Sequence, residues 1–266
     1  MKKILLQLII VIGLFFGTWF VLSQVNWMKL FRIEKITKTT EEKLGDLFWE
    51  IYKDKEIKDT AVTKPVDSIL SRICSANRID QSTIKLHIVD VQDVNAFALP
   101  NGHIVVNKGL ILDAQDEGEL AGVMGHELAH LQEKHVMKKL VKEVGLSVLI
   151  SVTTGGGGGE VAEIARMLSS SAYDRKLEKE ADMKSVDYMT MANLPPDHLA
   201  NFLYRLGQNA PDNMRYLTWV STHPDSKERG EYIVEYSKGK TRELKPVLAS
   251  QTWQQLKTAV GATEAE

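Results

Sequence analysis

The stretch GHELAHLQEKH, residues 125–135, places three histidines and two glutamates in eleven positions. On an α-helix, side chains four residues apart share one face, with Cβ atoms about 5–6 Å apart. His126 and His130 can therefore direct two imidazoles at one metal ion, while Glu127 lies beside them and can act on water. On a continuous helix His135 would lie about 180° from His126, so we expect it to face away as a solvated or packing residue.

This motif alone leaves a metal site incomplete. A catalytic zinc site takes three protein ligands and keeps one position open. The metzincin pattern would place a glycine three residues and a histidine six residues after His130, but Glu133 and Val136 occupy those positions. The third ligand must therefore come from another element, and residues 174–189, DRKLEKEADMKSVDYM, offer carboxylates.

On a helical wheel, residues 174–189 form one apolar face and one charged face. Glu178 and Asp182 lie within or beside the apolar face, whereas Glu180 lies on the charged one. A carboxylate on a buried face needs a partner, because burying an unpaired charge is costly. The pattern favours Glu178 as the third ligand and Asp182 as the acceptor that orients a ligand histidine. The alternative is a pair of carboxylates at a helix edge that meet Lys or Arg.

Composition sets broad limits on the protein. A chain of 266 residues with 44% hydrophobic and 26% charged residues can form one domain with appendages. The net charge of −2, with basic residues scattered along the chain, argues against a nucleic-acid partner. The single cysteine, Cys74, excludes an internal disulfide, and we expect a small buried thiol.

The N-terminal residues 1–28 differ from the rest. Positions 4–28 carry no charge, which exceeds the roughly 20 residues needed to span a bilayer. We expect a retained transmembrane anchor. The competing interpretation is a signal sequence cut after Ser23, although no A-x-A precedes that site. The basic residues that follow outnumber the two leading lysines, so charge alone does not fix the side of the membrane.

The remaining chain is mainly helical with a brief β region. Strand patterns lie at 84–91, 95–98 and 103–107. Asp116 and Glu119 form a capping-box pattern that opens a long helix containing the histidine motif. The five glycines at 155–159 end that helical region, either as a flexible connector or as a mobile flap beside a cleft.

Four stretches together resemble the zinc metallopeptidase family that contains the CaaX prenyl protease, HtpX, BepA and LoiP. The first two are GHELAH and DRKLEKEAD. NAFALPNGHIVVNKGLI resembles the family's NAFA-x-PGG-x-I-x-V-x-x-GLL segment, and STHPDSKER resembles its S-x-HP-x-x-x-x-R segment. The resemblance covers residues 65–237, with Asn101 in place of a usual Gly and Asp174 in place of a usual Ser. It implies an α+β fold, a mainly helical zincin of the gluzincin type with a small β-sheet beside the active-site helix.

The resemblance also implies the roles of the site residues. One Zn²⁺ per chain would be held by His126, His130 and Glu178, with Asp182 as the orienting carboxylate and Glu127 as the base. In the family, the strand beside the active-site helix pairs with an extended substrate. HIVVN matches that strand, and its alternative is an ordinary internal strand. The matching residues are His103, Ile104, Val105, Val106 and Asn107.

The resemblance further suggests that His223, in STHPDSKER, reaches the zinc site. Asp225 and Glu228 form a capping-box pattern, so His223 would lie just before a helix. Two roles stay open for it. It could donate a hydrogen bond to the oxyanion of the reaction, or it could be a fourth ligand that keeps the enzyme inactive until the loop moves.

We therefore expect a zinc metalloendopeptidase that acts on unfolded, misfolded or misassembled proteins of the bacterial envelope. A catalytic domain at 29–260 would follow the membrane segment and precede a disordered tail at 261–266. A single apolar segment resembles the exported members BepA and LoiP, which favours a periplasmic domain, membrane-anchored or released by cleavage. The alternatives are a chaperone-like protein with a blocked or structural zinc site, and another zinc hydrolase that uses the same motif.

Overall fold

The computed structural model describes residues 7, 11–18, 33–155, 158–209, 214–240 and 243–262. The contacts divide the chain into two units, Met1–Thr40 and Glu41–Glu266. Residues 11–18 are helical and their apolar side chains are exposed. No helix formed by the described residues has the length and apolar character needed to cross a bilayer. Most of the predicted anchor or signal sequence, residues 1–28, and the last four residues of the predicted tail lie outside the described residues.

Helices dominate the described chain and accompany one small sheet, which confirms the predicted fold class. The strands are β1 Lys85–Val89, β2 Ala96–Leu99 and β3 His103–Asn107. The helices are α1 Ile33–Trp49, α2 Thr60–Ala76, α3 Lys108–Asp113, α4 Glu117–Gln132, α5 His135–Glu143, α6 Leu146–Thr153, α7 Gly158–Ser170, α8 Arg175–Met191, α9 His198–Asn209, α10 Met214–Thr222, α11 Ser226–Ser237 and α12 Ser250–Ala262. Short 3₁₀ helices lie at Lys53–Lys55 and Gln81–Thr83.

The sheet has the order β1-β3-β2, with β1 parallel and β2 antiparallel to β3. β2 and β3 are joined by the predicted turn. Asn101 there has φ 61° and Gly102 has φ 76°, left-handed conformations that Asn tolerates better than most residues. The replacement of a family glycine by Asn101 is therefore accommodated.

The position of β3 contradicts the predicted substrate strand. Its backbone pairs with β1 on one side and β2 on the other, so no edge of His103–Asn107 is left for an added strand. That assignment is wrong, and the alternative of an internal strand holds. The strand that packs most closely against α4 is β2, and β2 is an edge of the sheet.

The central helix α4 is buried along most of its length. Every residue from Gly118 to His130 is buried, and α4 packs closely on α8. Ser185 of α8 donates a hydrogen bond to the Gly122 carbonyl at 2.7 Å. A Cβ on Gly125 would lie 2.9 Å from the same hydroxyl, so the glycines of α4 allow this approach. The packing brings the polar residues of both helices together inside the domain.

The histidine helix is shorter than predicted. Its predicted cap is confirmed, because the Asp116 carboxylate accepts from the Glu119 N–H at 3.0 Å. The helix ends at Gln132, however, because Lys134 adopts a left-handed conformation with φ 56°. A new helix, α5, begins at His135. A helical phase carried through from His126 therefore does not describe the direction of His135.

Candidate active site

Two helices and one loop bring four buried side chains to a single point. These are His126 and His130 of α4, Glu178 of α8 and His223 before α11, and one ligand atom of each lies within 4.8 Å of the others. The Nε2 atoms of the two α4 histidines are 3.0 Å apart. Glu178 oxygens lie 3.7 Å from His126 Nε2 and 3.4 Å from His130 Nε2. We call these four side chains the metal cluster.

The metal cluster has the dimensions and chemistry of a zinc site. Bonds of about 2.0–2.1 Å in a tetrahedron place neighbouring ligand atoms about 3.3 Å apart, close to the separations observed. Burial lowers the pKa of His126, and that of His130 to about 3. Both rings are therefore neutral near pH 7 and can offer lone pairs to a metal. Imidazole nitrogens with one carboxylate form a common zinc donor set.

Glu127 lies beside the metal cluster without belonging to it. Its side chain is buried and neither carboxylate oxygen has a hydrogen-bond partner among the described residues. Burial raises the pKa of Glu127 well above its usual value, and the negative charge of Glu178 raises it further. An orphaned buried carboxylate is costly. The raised pKa favours the protonated form of Glu127, so this side chain can hold a proton beside the metal cluster.

Asp182 contacts His126 of the metal cluster, as predicted by the helical wheel. Its Oδ1 lies 2.9 Å from His126 Nδ1. Arg229 donates to Asp182 from Nε at 2.8 Å and from Nη2 at 2.7 Å, and it also pairs with Glu178. Burial opposes ionisation of Glu178, but His223 and Arg229 together hold its pKa well below the usual range. The alternative that these carboxylates meet an Arg is therefore also true, and Arg229 serves both.

His223 completes the metal cluster from a loop. Its Nδ1 lies 3.1 Å from both Glu178 oxygens and 3.4 Å from His126 Nε2, while its Nε2 lies 3.6 Å from Glu127. Trp219 packs on the His223 ring, with centroids 4.3 Å apart. The structure thus brings His223 to His126, His130 and Glu178, as the resemblance suggested.

The loop after His223 is held differently from the prediction. Asp225 has φ 62° and makes no side-chain cap to α11. Its carboxylate instead lies 2.9 Å from Arg175 Nε, at the start of α8. The predicted capping box with Glu228 is therefore wrong, because the capping carboxylate is taken by Arg175.

Comparison with known proteins agrees with this geometry. Residues 61–237 match the model of Peptidase family M48. The chain belongs to peptidase family M48. Within the matched region, the chain carries the metallopeptidase domain of this family with its HExxH motif intact. The match confirms the resemblance drawn from the four sequence stretches.

Relatives of this M48 chain include bacterial proteases. Metalloprotease LoiP of Escherichia coli is 28% identical over 192 residues, which are 67% of this chain and 75% of LoiP. Metalloprotease YcaL of Escherichia coli is 30% identical over 173 residues, 62% of this chain and 67% of YcaL. The beta-barrel assembly-enhancing protease of Yersinia pestis is 23% identical over 185 residues, 63% of this chain and 37% of that protein. The chain spans less than half the length of several curated relatives.

The M48 site also contains two rings that sequence reasoning missed. Tyr173 stacks on His130, with centroids 4.0 Å apart and planes at 25°. His135 is buried, and its Nδ1 lies 3.1 Å from Nδ1 of His130. The prediction that His135 faces away is therefore wrong. Tyr173 comes just before the ligand helix in sequence, and His135 belongs to the quoted motif, but only the folded chain shows their contacts.

Proposed function

We propose that this chain is a zinc-dependent metalloendopeptidase that hydrolyses peptide bonds of misfolded or misassembled proteins in the bacterial cell envelope. One observation carries the hydrolytic part of the proposal. The metal cluster lies next to Glu127, a buried carboxylate without a hydrogen-bond partner among the described residues. A purely structural zinc site has no need of such a base, which argues against the chaperone-like alternative.

We propose one zinc ion per chain, held by His126, His130 and Glu178. When bound, zinc supplies positive charge that polarises the scissile carbonyl and acidifies water. Glu127 takes the proton from the attacking water and then passes it to the leaving amine. Asp182 accepts the Nδ1–H of His126 and so keeps the Nε2 lone pair directed into the metal cluster.

The substrate would pair with the free edge of β2. Asn95 accepts a hydrogen bond from the Asn107 N–H at 3.1 Å. Because hydrogen-bonded pairs alternate along an antiparallel ladder, Phe97 and Leu99 bond to β3, while Ala96 and Ala98 direct their N–H and C=O groups away from it. An extended chain could pair there through its backbone, largely independently of its side chains. This mode fits unfolded substrates and argues against a zinc hydrolase for small molecules.

The envelope location is supported by the N-terminus and by the relatives. Residues 4–28 are uncharged, and one relative is named a beta-barrel assembly-enhancing protease. We propose that residues 1–28 anchor the protein in the membrane or direct its export, and that the catalytic domain at 29–260 works in the periplasm. Unfolded envelope proteins would then be its partners.

We propose that His223 is a self-inhibitory fourth ligand. Its Nδ1 lies within 3.1–3.4 Å of ligand atoms of Glu178 and His126, which is the position that a substrate carbonyl or water would need. Its Nε2 faces Glu127. In this arrangement the loop blocks both the open position of the metal and the base, so the loop must move before substrate can react.

The test uses the full-length chain purified in detergent. Its zinc content and its degradation of casein are measured before and after treatment with a chelator. We expect about one zinc per chain, with casein cleavage lost on chelation and restored by zinc. Casein cleavage that survives complete zinc removal would contradict the mechanism. If both the wild type and the His223→Ala variant bound zinc but cleaved no casein, the chaperone-like alternative would be favoured.

A further inference from the structure

His130 has a second partner on the side of its ring that faces away from the metal cluster. Its Nδ1 lies 3.1 Å from Nδ1 of His135. The other ring nitrogen of His135, Nε2, lies 3.4 Å from a carboxylate oxygen of Glu180. His135 is fully buried, whereas the Glu180 side chain is 39% exposed. The three side chains form a continuous line from the metal cluster to the protein surface.

The nitrogen that carries the proton in each ring can be assigned by starting at the metal cluster and moving outward. Nε2 of His130 faces the metal cluster, and a metal ligand needs its lone pair there, so its proton must be on Nδ1. His135 must then accept that N–H with its own Nδ1. The proton of His135 is left on Nε2, where it faces the Glu180 carboxylate. Each nitrogen thus has one consistent role, and the line ends on an anion.

We propose that His135 and Glu180 are positioning residues that fix the tautomer and ring orientation of His130 for metal binding. The inference rests on the metal site proposed above. His126 receives the same support from Asp182 directly, at 2.9 Å. Among the described residues, no carboxylate contacts Nδ1 of His130 directly, because Glu178 lies on the Nε2 side, in the metal cluster.

The geometry of α8 explains why Glu180 reaches His130 only through His135. Glu178 and Glu180 are two residues apart on α8, so their side chains point about 200° apart around its axis. Glu180 therefore lies to the side of the metal cluster rather than within it. The left-handed residue Lys134 ends α4 and turns the chain back. That turn places the first residue of α5, His135, in the gap between His130 and Glu180.

The two contacts should differ in strength. The contact between His135 and Glu180 is 3.4 Å, longer than the about 2.7–3.2 Å of a usual N–H···O hydrogen bond. Glu180 is also partly exposed, so water can replace its oxygen. Loss of the acceptor at His135 should therefore weaken metal binding more than loss of Glu180. Removing such an outer partner typically lowers metal affinity about 10–100-fold.

The test measures zinc affinity rather than activity. The full-length chain in detergent is stripped of metal and titrated with zinc against a chromophoric chelator. His135→Leu should weaken zinc binding about 10–100-fold. His135→Asn places an oxygen near the position of Nδ1, so it should retain most of the zinc affinity of the wild type. Glu180→Ala should weaken binding by less than His135→Leu does, and Glu180→Gln, which still accepts a hydrogen bond, by less again.

A spectroscopic measurement separates positioning from packing. With Co²⁺ in place of zinc, the visible absorption of the ligand set should change in His135→Leu and be restored in His135→Asn. Equal loss of zinc affinity in both variants would overturn the relay. So would unchanged affinity in His135→Leu with a lower melting temperature of the metal-free protein, because His135 would then only fill space.

The exposed glutamate keeps the proposal testable if His135 variants do not fold. Glu180→Ala changes a partly exposed side chain and should fold, and wild-type zinc affinity in that variant would then refute the relay. A wild-type chain that binds no zinc would instead refute the proposed function. The two failures are thus distinct.

Discussion

His126, His130 and Glu178 sit on two tightly packed helices, whereas His223 reaches the same point from a loop. The helices meet through the Ser185 hydrogen bond to Gly122, and Arg229 braces Glu178 from within the buried interior. The loop is held by Asp225 in a left-handed conformation and by an ion pair with Arg175, whose side chain is 77% exposed. A cavity of about 310 Å³ opens beside Asp225 and Pro224. Three members of the metal cluster therefore lie on two tightly packed helices, and we call these three its fixed part, while His223, although also buried, is carried by a loop whose surface contacts can be released.

Within the fixed part of the metal cluster, the largest loss of zinc affinity and activity is expected when Glu178 is replaced. In Glu178→Ala, zinc affinity should fall by more than the about 100-fold expected for an outer partner, and proteolysis should be lost. The matched control is Glu180→Ala, on the same helix, which should retain zinc at saturating concentration and remain active. Zinc content and casein cleavage of both variants check this difference. If Glu180→Ala lost zinc while Glu178→Ala kept it, the third ligand would have to be reassigned.

Glu127 lies on the same helix as His126 and His130 but is not one of the proposed ligands. Glu127→Gln should therefore keep about one zinc per chain while activity falls about 10²-fold or more, because the amide cannot accept the proton. Metal analysis and initial rates on one preparation provide the measurement. Loss of zinc in this variant would show that Glu127 acts as a ligand.

The member of the metal cluster that the loop carries is tested at His223. If His223 is a self-inhibitory ligand, His223→Ala should raise basal proteolysis and lower zinc affinity, because a fourth ligand is removed. If it stabilises the transition state instead, the same change should lower kcat with zinc retained, because the activation free energy would rise by about 2.7–4 kcal/mol. Steady-state rates with a zinc titration distinguish the two. Unchanged activity and unchanged zinc affinity would make His223 an ordinary loop residue.

The smallest effect is expected at Arg175. An exposed ion pair contributes about 0–1 kcal/mol after solvent screening, so Arg175→Ala should raise basal proteolysis about fivefold at most, by loosening the His223 loop. Lys176→Ala removes the same charge from the neighbouring exposed residue and serves as the control. Equal rates in the two variants would show that Arg175 does not hold the His223 loop in place.

The features that could be predicted from sequence are those set by short spacing. The four-residue interval between His126 and His130 and the cap at Asp116 depend on one helix, and the structure shows both. The helical wheel that favoured Glu178 and Asp182 required only the assignment of the buried face of a second helix. These local rules predicted that Glu178 lies in the metal cluster and Asp182 beside it, which is where the structure has them.

The features that failed depend on long-range pairing or on a single backbone conformation. The strand order that makes β3 internal is set by β1, which pairs with it from outside the local hairpin. The break at Lys134 occurs within residues that form helices well, so periodicity could not reveal it, and His135 was placed on the wrong side. Arg229 lies 47 positions from Asp182 in the chain, too distant for any spacing rule.

The burial of α4 from Gly118 to His130 ties the lifetime of the protein to the supply of metal. Zinc bound to the folded protein would raise its free energy of unfolding by an amount that grows with the free zinc concentration, about 4 kcal/mol at a thousandfold excess over Kd. A chain starved of zinc would lose this added stability and would open more often. In surroundings where zinc runs short, such molecules would become substrates for other proteases, so metal scarcity would reduce the amount of this protein as well as its activity.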